Sequence, residues 1–393
     1  MKFDAETLRV TESGKFGTTA LTVGVVGLLL SALGWIIDTE TFFQSYLSAF
    51  FFWLSIGLGG LFFVMLHHLT SARWSIVLRR LGENVMSVLP LMILFFIPLL
   101  FGIHELYHWS HADVVAHNEI LQKKVGYLNV PFFIIRAAIY FIAWIVLSRL
   151  LSKSSTGQDN GDDGSFYPKF KKISAPGMLV FAFTLTFAGF DWLMSLNPEW
   201  YSTIFGVYLF AGSFLGILAF LVLMTQYLQA NGGLQDTVTV EHYHDLGKYL
   251  FGFTIFWAYI GFSQFMLIWY GNILEETIWY KARWYGTWKY VSMLILFGHF
   301  IVPFLWLVTR GAKRNLKVLA GAAVWILLMH WVDIYWMVRP TFSTNIHFSW
   351  MDITSTVGIG GVFLWFLWKK LAARPLVPVG DPYLETSIEF TNV

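Results

Sequence analysis

The sequence predicts an all-α polytopic membrane protein of about ten transmembrane helices. Three observations predict it. Hydrophobic residues make up 56% of the 393 and charged residues only 13%, where a soluble domain carries about 25% charged residues. Ten segments are apolar over the roughly 20 residues that a bilayer crossing needs. No polar segment between them is large enough for an extramembrane catalytic domain. Disorder, coiled coil and an ordinary soluble enzyme are excluded on this composition, and a net charge of +2 gives no reason to expect nucleic acid.

In chain order, a cytoplasmic segment, 1–17, carries Lys2, Arg9 and Lys15 and leads into the first span, 18–37. Trp35, Ile36 and Ile37 run directly into Asp38 and Glu40 without a small-residue cleavage site, so the segment reads as a retained helix. A loop to residue 45 precedes four spans, 46–67, 85–106, 128–149 and 174–195. The fourth and fifth are joined by a cytoplasmic linker, 152–172. Its polar stretch 152–165, with Gly157, Asn160, Gly161 and Gly164, reads as flexible. Four more spans follow, 203–228, 247–270, 288–309 and 316–338, and then a tenth, 350–369, and a cytoplasmic tail, 370–393. Gly57-x-x-Gly60 and Gly358-x-Gly360-Gly361 read as close helix packing.

Basic residues set the orientation. The amino-terminal segment, the loops after the second, fourth and eighth spans, and the tail carry most of the 26 Lys and Arg. The opposite loops hold only Lys123, Lys124, Lys281, Arg283, Lys289 and Arg339, while Arg136 and Lys248 lie within spans. Both termini are therefore expected on the cytoplasmic side.

The chain also repeats. Asp191 to Pro198 ends the fifth span and Asp333 to Pro340 ends the ninth, with the same spacing. Met65-x-His67-His68-Leu69 parallels Met224-x-Gln226-Tyr227-Leu228, His104 with Trp109 parallels Gln264 with Trp269, and Ser148-Arg149 parallels Thr309-Arg310. Spans two to five (46–195) and six to nine (203–338) thus read as two four-helix bundles entering the membrane in the same direction, with two flanking helices. Parallel repeats place sites at their interface or in equivalent pockets.

An ionisable group inside a span is costly and usually faces a polar interior or a partner. Asp191, Asp333, His104, Glu105, Gln264 and His330 sit late in outward-running helices. Arg136 and His299 sit about halfway down inward-running ones, and Asp352 opens the tenth span. His330 and Asp333 are three residues apart and share a helix face, so the carboxylate is placed to hold the imidazole for a proton relay, or the two form a helix-end pair wetted by the headgroup region. Arg136 reads as a counter-ion for a carboxylate, or as a cation bonded to backbone carbonyls. Glu105 with His104, His108 and His111 reads as a solvated mouth rather than a metal site. His67-His68 reads as an interfacial pair, and Trp279, Tyr280, Trp284, Tyr285 and Trp288 as an interfacial belt. The polar groups form a candidate proton path: Asp191, Asp333, His330, Glu105, His299, Arg136 and Gln264 as an outer half-channel, and His67, His68 and Gln226 at the inner opening.

There is no cysteine, so no thiolate-held iron–sulfur cluster, covalent c-type haem or thiol nucleophile belongs to this chain. His299 and His330 are a candidate axial pair for haem, but their depths differ by about 7 Å. The subunit is expected to carry no metal and no catalytic residue of its own.

Several stretches carry a resemblance. They are His67-His-Leu-Thr-Ser-Ala-Arg-Trp74, Gly189-Phe-Asp-Trp-Leu-Met-Ser-Leu196 with Tyr201-Ser-Thr-Ile-Phe-Gly-Val-Tyr208, and Ser263-Gln-Phe-Met-Leu-Ile-Trp-Tyr-Gly-Asn272 with Glu275-Glu276. From the first span to the tenth, the chain resembles alternative complex III, specifically its ActF-type subunit, one of two NrfD/PsrC-like membrane subunits. The resemblance implies a multi-subunit quinol:cytochrome c (or similar carrier) oxidoreductase of a respiratory or photosynthetic chain in the bacterial inner membrane. It implies haem c and iron–sulfur clusters on partner subunits, a sister NrfD-like subunit with the quinol pocket, and quinone or menaquinone nearby. A terminal oxidase and lipids are further expected partners. An ActF-type subunit is implied to conduct protons or to brace the complex, and Asp191 and Gln264 carry over as its candidates. A purely structural scaffold and an independent secondary transporter are the competing readings. Against the transporter, no span shows the paired Gly/Pro interruptions of an unwound substrate site.

Overall fold

The computed structural model describes residues 8–10, 15–161, 164–234 and 237–392. Lys2 and most of the 1–17 segment, part of the linker, and Val393 lie outside the described residues. Among the described residues there is no strand, and ten helices are long and apolar enough to cross a membrane. They are α1 (Lys15–Ile37), α2 (Thr39–Thr70), α3 (Ile76–Phe101), α4 (Val130–Gln158), α5 (Phe166–Leu196), α6 (Phe205–Ala230), α7 (Val240–Gly271), α8 (Trp288–Leu307), α9 (Leu316–Thr341) and α10 (Trp350–Ala372). The protein is an all-α polytopic membrane protein.

Side chains fix where helices begin. Asp38 accepts from the Thr41 N–H at 3.0 Å to start α2, and Asn129 accepts from Phe132 at 2.9 Å to start α4. Asn315 takes the N–H groups of Lys317 and Val318, and Ser349 with Asp352 closes a capping box on α10. Each cap satisfies donors that a first helical turn leaves open.

α2 and α6 are the most enclosed helices and pack on each other. α2 also packs against α3 and α5, and α4 against α5, while α6 packs against α7 and α9 and α8 lies between α7 and α9. α1 and α10 pair along one flank and rest on α2. Their contact is backbone to backbone: a Cβ added to Gly27 would lie 2.7 Å from the Cα of Gly358, and one added to Gly361 would lie 2.5 Å from that of Gly24. Ser31 and Ser355 then meet across the seam at 3.1 Å. This is the close packing expected of Gly358 and Gly361.

α8 is not uniformly α-helical. Ile295–Ile301 is a π-helical segment followed by Pro303. Proline has no N–H to return to the carbonyl four residues back, here that of His299, and wider turns accommodate such a gap.

The loops around Arg79 and Gln158 and the tail are built rather than loose, which corrects the flexible reading for 152–161; residues 162 and 163 lie outside the described residues. α4 continues to Gln158, and Ser154, Ser155 and Gln158 are buried. Arg79 donates to Gln158 at 2.8 Å, and Arg80 grips both oxygens of Asp159 at 2.9 Å. Glu83 faces both arginines, and Asp381 of the tail pairs with Arg79 at 2.9 Å and accepts from Tyr167. A polar composition that normally marks a linker is here the docking surface for this network. α3 accordingly starts at Ile76, before the apolar window that the sequence reading placed at 85–106, because the charges of its first turns are paired. The tail folds back beneath both halves: Ser387 bonds the Trp74 carbonyl, His242 bonds the Ser387 carbonyl, and the Leu376 N–H donates to Leu8. The two ends of the described chain therefore meet on one face.

Candidate functional site

Asp191, near the end of α5, is fully buried, and Arg136 of α4 is nearly so. The guanidinium reaches both carboxylate oxygens, Nε to Oδ2 at 2.7 Å and Nη2 to Oδ1 at 3.0 Å. Tyr140, one turn along α4, donates a third bond at 2.7 Å. Nη1 of Arg136 donates to the Tyr127 carbonyl at 2.8 Å, and the Tyr127 and Phe132 rings cover the guanidinium face. Of the two readings of Arg136, the structure has the ion pair, with a carbonyl bond in addition. A bidentate pair of this kind fixes both partners in place.

Asp333 occupies the matching position near the end of α9 and is equally buried, but its surroundings differ. Tyr208 of α6 donates to one oxygen at 2.5 Å and the Trp257 indole of α7 donates to the other at 3.2 Å. Both donors are neutral, and no ion pair reaches Asp333 among the described residues. Its protonation can change without breaking a salt bridge. The two halves thus hold the same carboxyl in opposite ways.

His330 does not bond Asp333, contrary to the relay expected from their spacing. Its Nε2 lies 2.8 Å from the hydroxyl of Ser55 on α2, and its ring sits against Gly212 and Gly216 of α6, with Phe52 beside it. Small residues on α6 draw the imidazole across the seam between the halves, away from its neighbour on α9. His299, on the π-helical segment of α8, is buried with both ring nitrogens unbonded and packs against the Trp257 ring at a tilt of 36°, centroids 4.0 Å apart. It therefore adjoins the group that holds Asp333.

Gln264 of α7 accepts from Ser202 at 2.9 Å and donates to the Tyr280 hydroxyl at 3.1 Å. It lines a cavity of about 960 Å³ between α7, α8 and a short helix, Leu274–Trp284, with Tyr208, Tyr280 and Arg283 among the walls. Burial holds the Tyr280 hydroxyl above its ordinary value and pushes the Arg283 guanidinium down to about 9. Trp279 and Trp288 are buried, and Trp284 and Tyr285 are exposed.

The remaining candidates stand apart. Glu105 and His104 are exposed, and His111 donates to the His104 carbonyl. No group of three His, Cys, Asp or Glu among the described residues is placed to hold a metal ion. His67 and His68 are buried. His67 donates to the Phe63 carbonyl at 2.7 Å, and His68 stacks on Phe170 at 4.1 Å. Gln226 donates to the Leu316 carbonyl. Sequence reasoning missed Tyr140, Tyr208, Trp257 and Ser55, which hold the buried polar groups; each lies in an apolar helix, a signal that names no partner. No family model matches the chain, and no curated protein matches it.

Proposed function

We propose that this chain is the membrane subunit through which a quinol:cytochrome c (or similar carrier) oxidoreductase moves protons, with haem c and iron–sulfur centres on partner subunits. The observation that carries the reading is Asp333: a buried carboxyl held, among the described residues, by the neutral donors Tyr208 and Trp257, at the position where the other half clamps Asp191 with Arg136. Quinol oxidation releases protons, and a machine that conserves its energy needs interior groups able to bind and release them. Asp333 is such a group, with Tyr208 and Trp257 orienting it. The sequence stretches around Asp191 and Gln264 favour placement in a complex of this type, in the bacterial inner membrane with both termini cytoplasmic.

Asp333→Asn preserves shape and removes the titrating oxygen. The reading requires fewer protons moved per electron with assembly intact. Wild-type stoichiometry in a normally assembled Asp333→Asn complex overturns it. A scaffold role is the second reading, and the Arg136–Asp191 pair favours it for the first half. Asp191→Asn is therefore expected to impair assembly more than proton movement. Purification without haem-bearing or iron–sulfur partners would remove the complex altogether.

A further inference from the structure

The cavity between α7, α8 and Leu274–Trp284 has a charge problem. Its lining includes two cations, Arg283 and Lys281, and no carboxylate. Arg283 is only 1% exposed. Its Nη1 donates to the Trp279 carbonyl at 3.0 Å and its Nη2 to the Met337 carbonyl at 2.7 Å, while its Nε has no hydrogen-bond partner. The Trp279 ring lies 3.5 Å from the guanidinium carbon. Carbonyls and an indole face contribute partial charge only, and no acid pairs with Arg283 among the described residues. Burying an uncompensated cation is costly, and proteins normally supply a counter-ion.

The rest of the cavity indicates where that counter-ion comes from. Tyr259, Phe262, Phe265, Met293 and Leu296 line it and are exposed on the outside of the bundle, so the cavity opens toward the hydrocarbon. Its volume is at the upper end of the roughly 300–1,000 Å³ of ligand pockets. At its polar end Tyr280 accepts from Gln264, leaving its own hydrogen for an acceptor. Lys281 stands exposed at the rim. We propose that this cavity is a binding site for an anionic phospholipid, its phosphate facing Arg283 and Lys281 and an acyl chain lying between α7 and α8. A neutral amphiphile fills the same apolar space but leaves the guanidinium charge unbalanced.

The proposal is independent of proton movement and is tested on the purified protein with the subunits that accompany it. Phosphatidylcholine nanodiscs are doped with a photoreactive phosphatidylglycerol or a photoreactive phosphatidylcholine, and adducts are mapped by peptide mass spectrometry. Phosphatidylglycerol adducts within 255–300 should exceed phosphatidylcholine adducts about tenfold. Lys281→Glu, a surface change that leaves the fold intact, should cut that preference severalfold. Arg283→Gln should abolish it, and Arg283→Lys should keep part of it. Equal labelling by the two lipids overturns the proposal, as does a preference unmoved by Lys281→Glu. Suppression of adduct formation by a soluble benzoquinone present before irradiation would assign the cavity to a neutral ring and overturn it equally.

Discussion

The Nε2 of His330 lies 2.8 Å from the hydroxyl of Ser55, joining the ninth span to the second. Ser55 donates its own hydrogen to the Phe52 carbonyl at 2.7 Å. The hydroxyl oxygen must then accept, so the imidazole carries its proton on Nε2, and Nδ1 is left bare and unbonded. The bond crosses between the two halves of the molecule.

Removing the hydroxyl leaves a buried N–H unsatisfied, a cost of about 1–3 kcal/mol. Ser55→Ala should lower the thermal unfolding midpoint of the detergent-purified protein. Ser48→Ala, whose hydroxyl donates to the Gln44 carbonyl within its own helix, should not. Equal midpoints for the two variants would show that the seam does not depend on His330.

Breaking the buried pair between Arg136 and Asp191 should cost more. Arg136→Gln leaves a carboxylate without its cation, worth about 3–5 kcal/mol. Adding Asp191→Asn should recover most of the loss, because the double variant strands no charge. A double variant as unstable as the single one would contradict this, and chemical denaturation of the four proteins measures it.

Tyr208→Phe removes one of the two donors to Asp333 while leaving the carboxyl. If Asp333 exchanges protons, this variant should reduce protons moved per electron part of the way toward the Asp333→Asn value. An unchanged ratio in Tyr208→Phe would deny Tyr208 its orienting role.

The absence of cysteine makes topology directly measurable. Single cysteines at Asn160 and Arg374 should react with a membrane-impermeant thiol reagent only after the membrane is opened, and those at Ala112 and Thr344 in intact cells. All four positions are exposed in the structure. Labelling of Asn160 in intact cells would reverse the orientation.

Asp38 provides a pH-dependent start to α2. The Thr41 hydroxyl and N–H hold its carboxyl below the ordinary range. The folded value is depressed, so the cap's contribution is present above the unfolded carboxyl value near 4 and fades as pH falls through the folded one. Asp38→Asn caps without titrating, so its stability relative to wild type should rise as pH drops below about 4. A difference that stays constant with pH would show that the Asp38 charge is irrelevant.

The membrane class was legible because hydropathy is a sum over each segment and needs no knowledge of partners. That Arg136 meets a carboxylate was legible because a charge inside a span demands compensation, but that the carboxylate is Asp191 was not. The His330–Ser55 bond was not: a serine in an apolar helix is ordinary, and the glycines that seat the imidazole, Gly212 and Gly216, lie on a third helix. The network of Arg79, Arg80 and Asp381 was hidden for a similar reason. Asp381 meets Gln158 across 223 positions of chain, so the 152–165 composition read as a linker. Spacing along one helix also misled, since it paired His330 with Asp333 when both were taken by other helices.

The glycine seam between α1 and α10 bears on how the protein is made. Ser31 and Ser355, which meet across it, are 324 positions apart. At about 5–20 residues per second, the first helix enters the bilayer roughly 15 to 65 seconds before its main partner emerges from the ribosome. During that interval its glycine-lined face meets lipid or an insertion chaperone. Nascent chains arrested before α10 should therefore display that face to membrane quality control, and completion of the tenth helix is the event that conceals it.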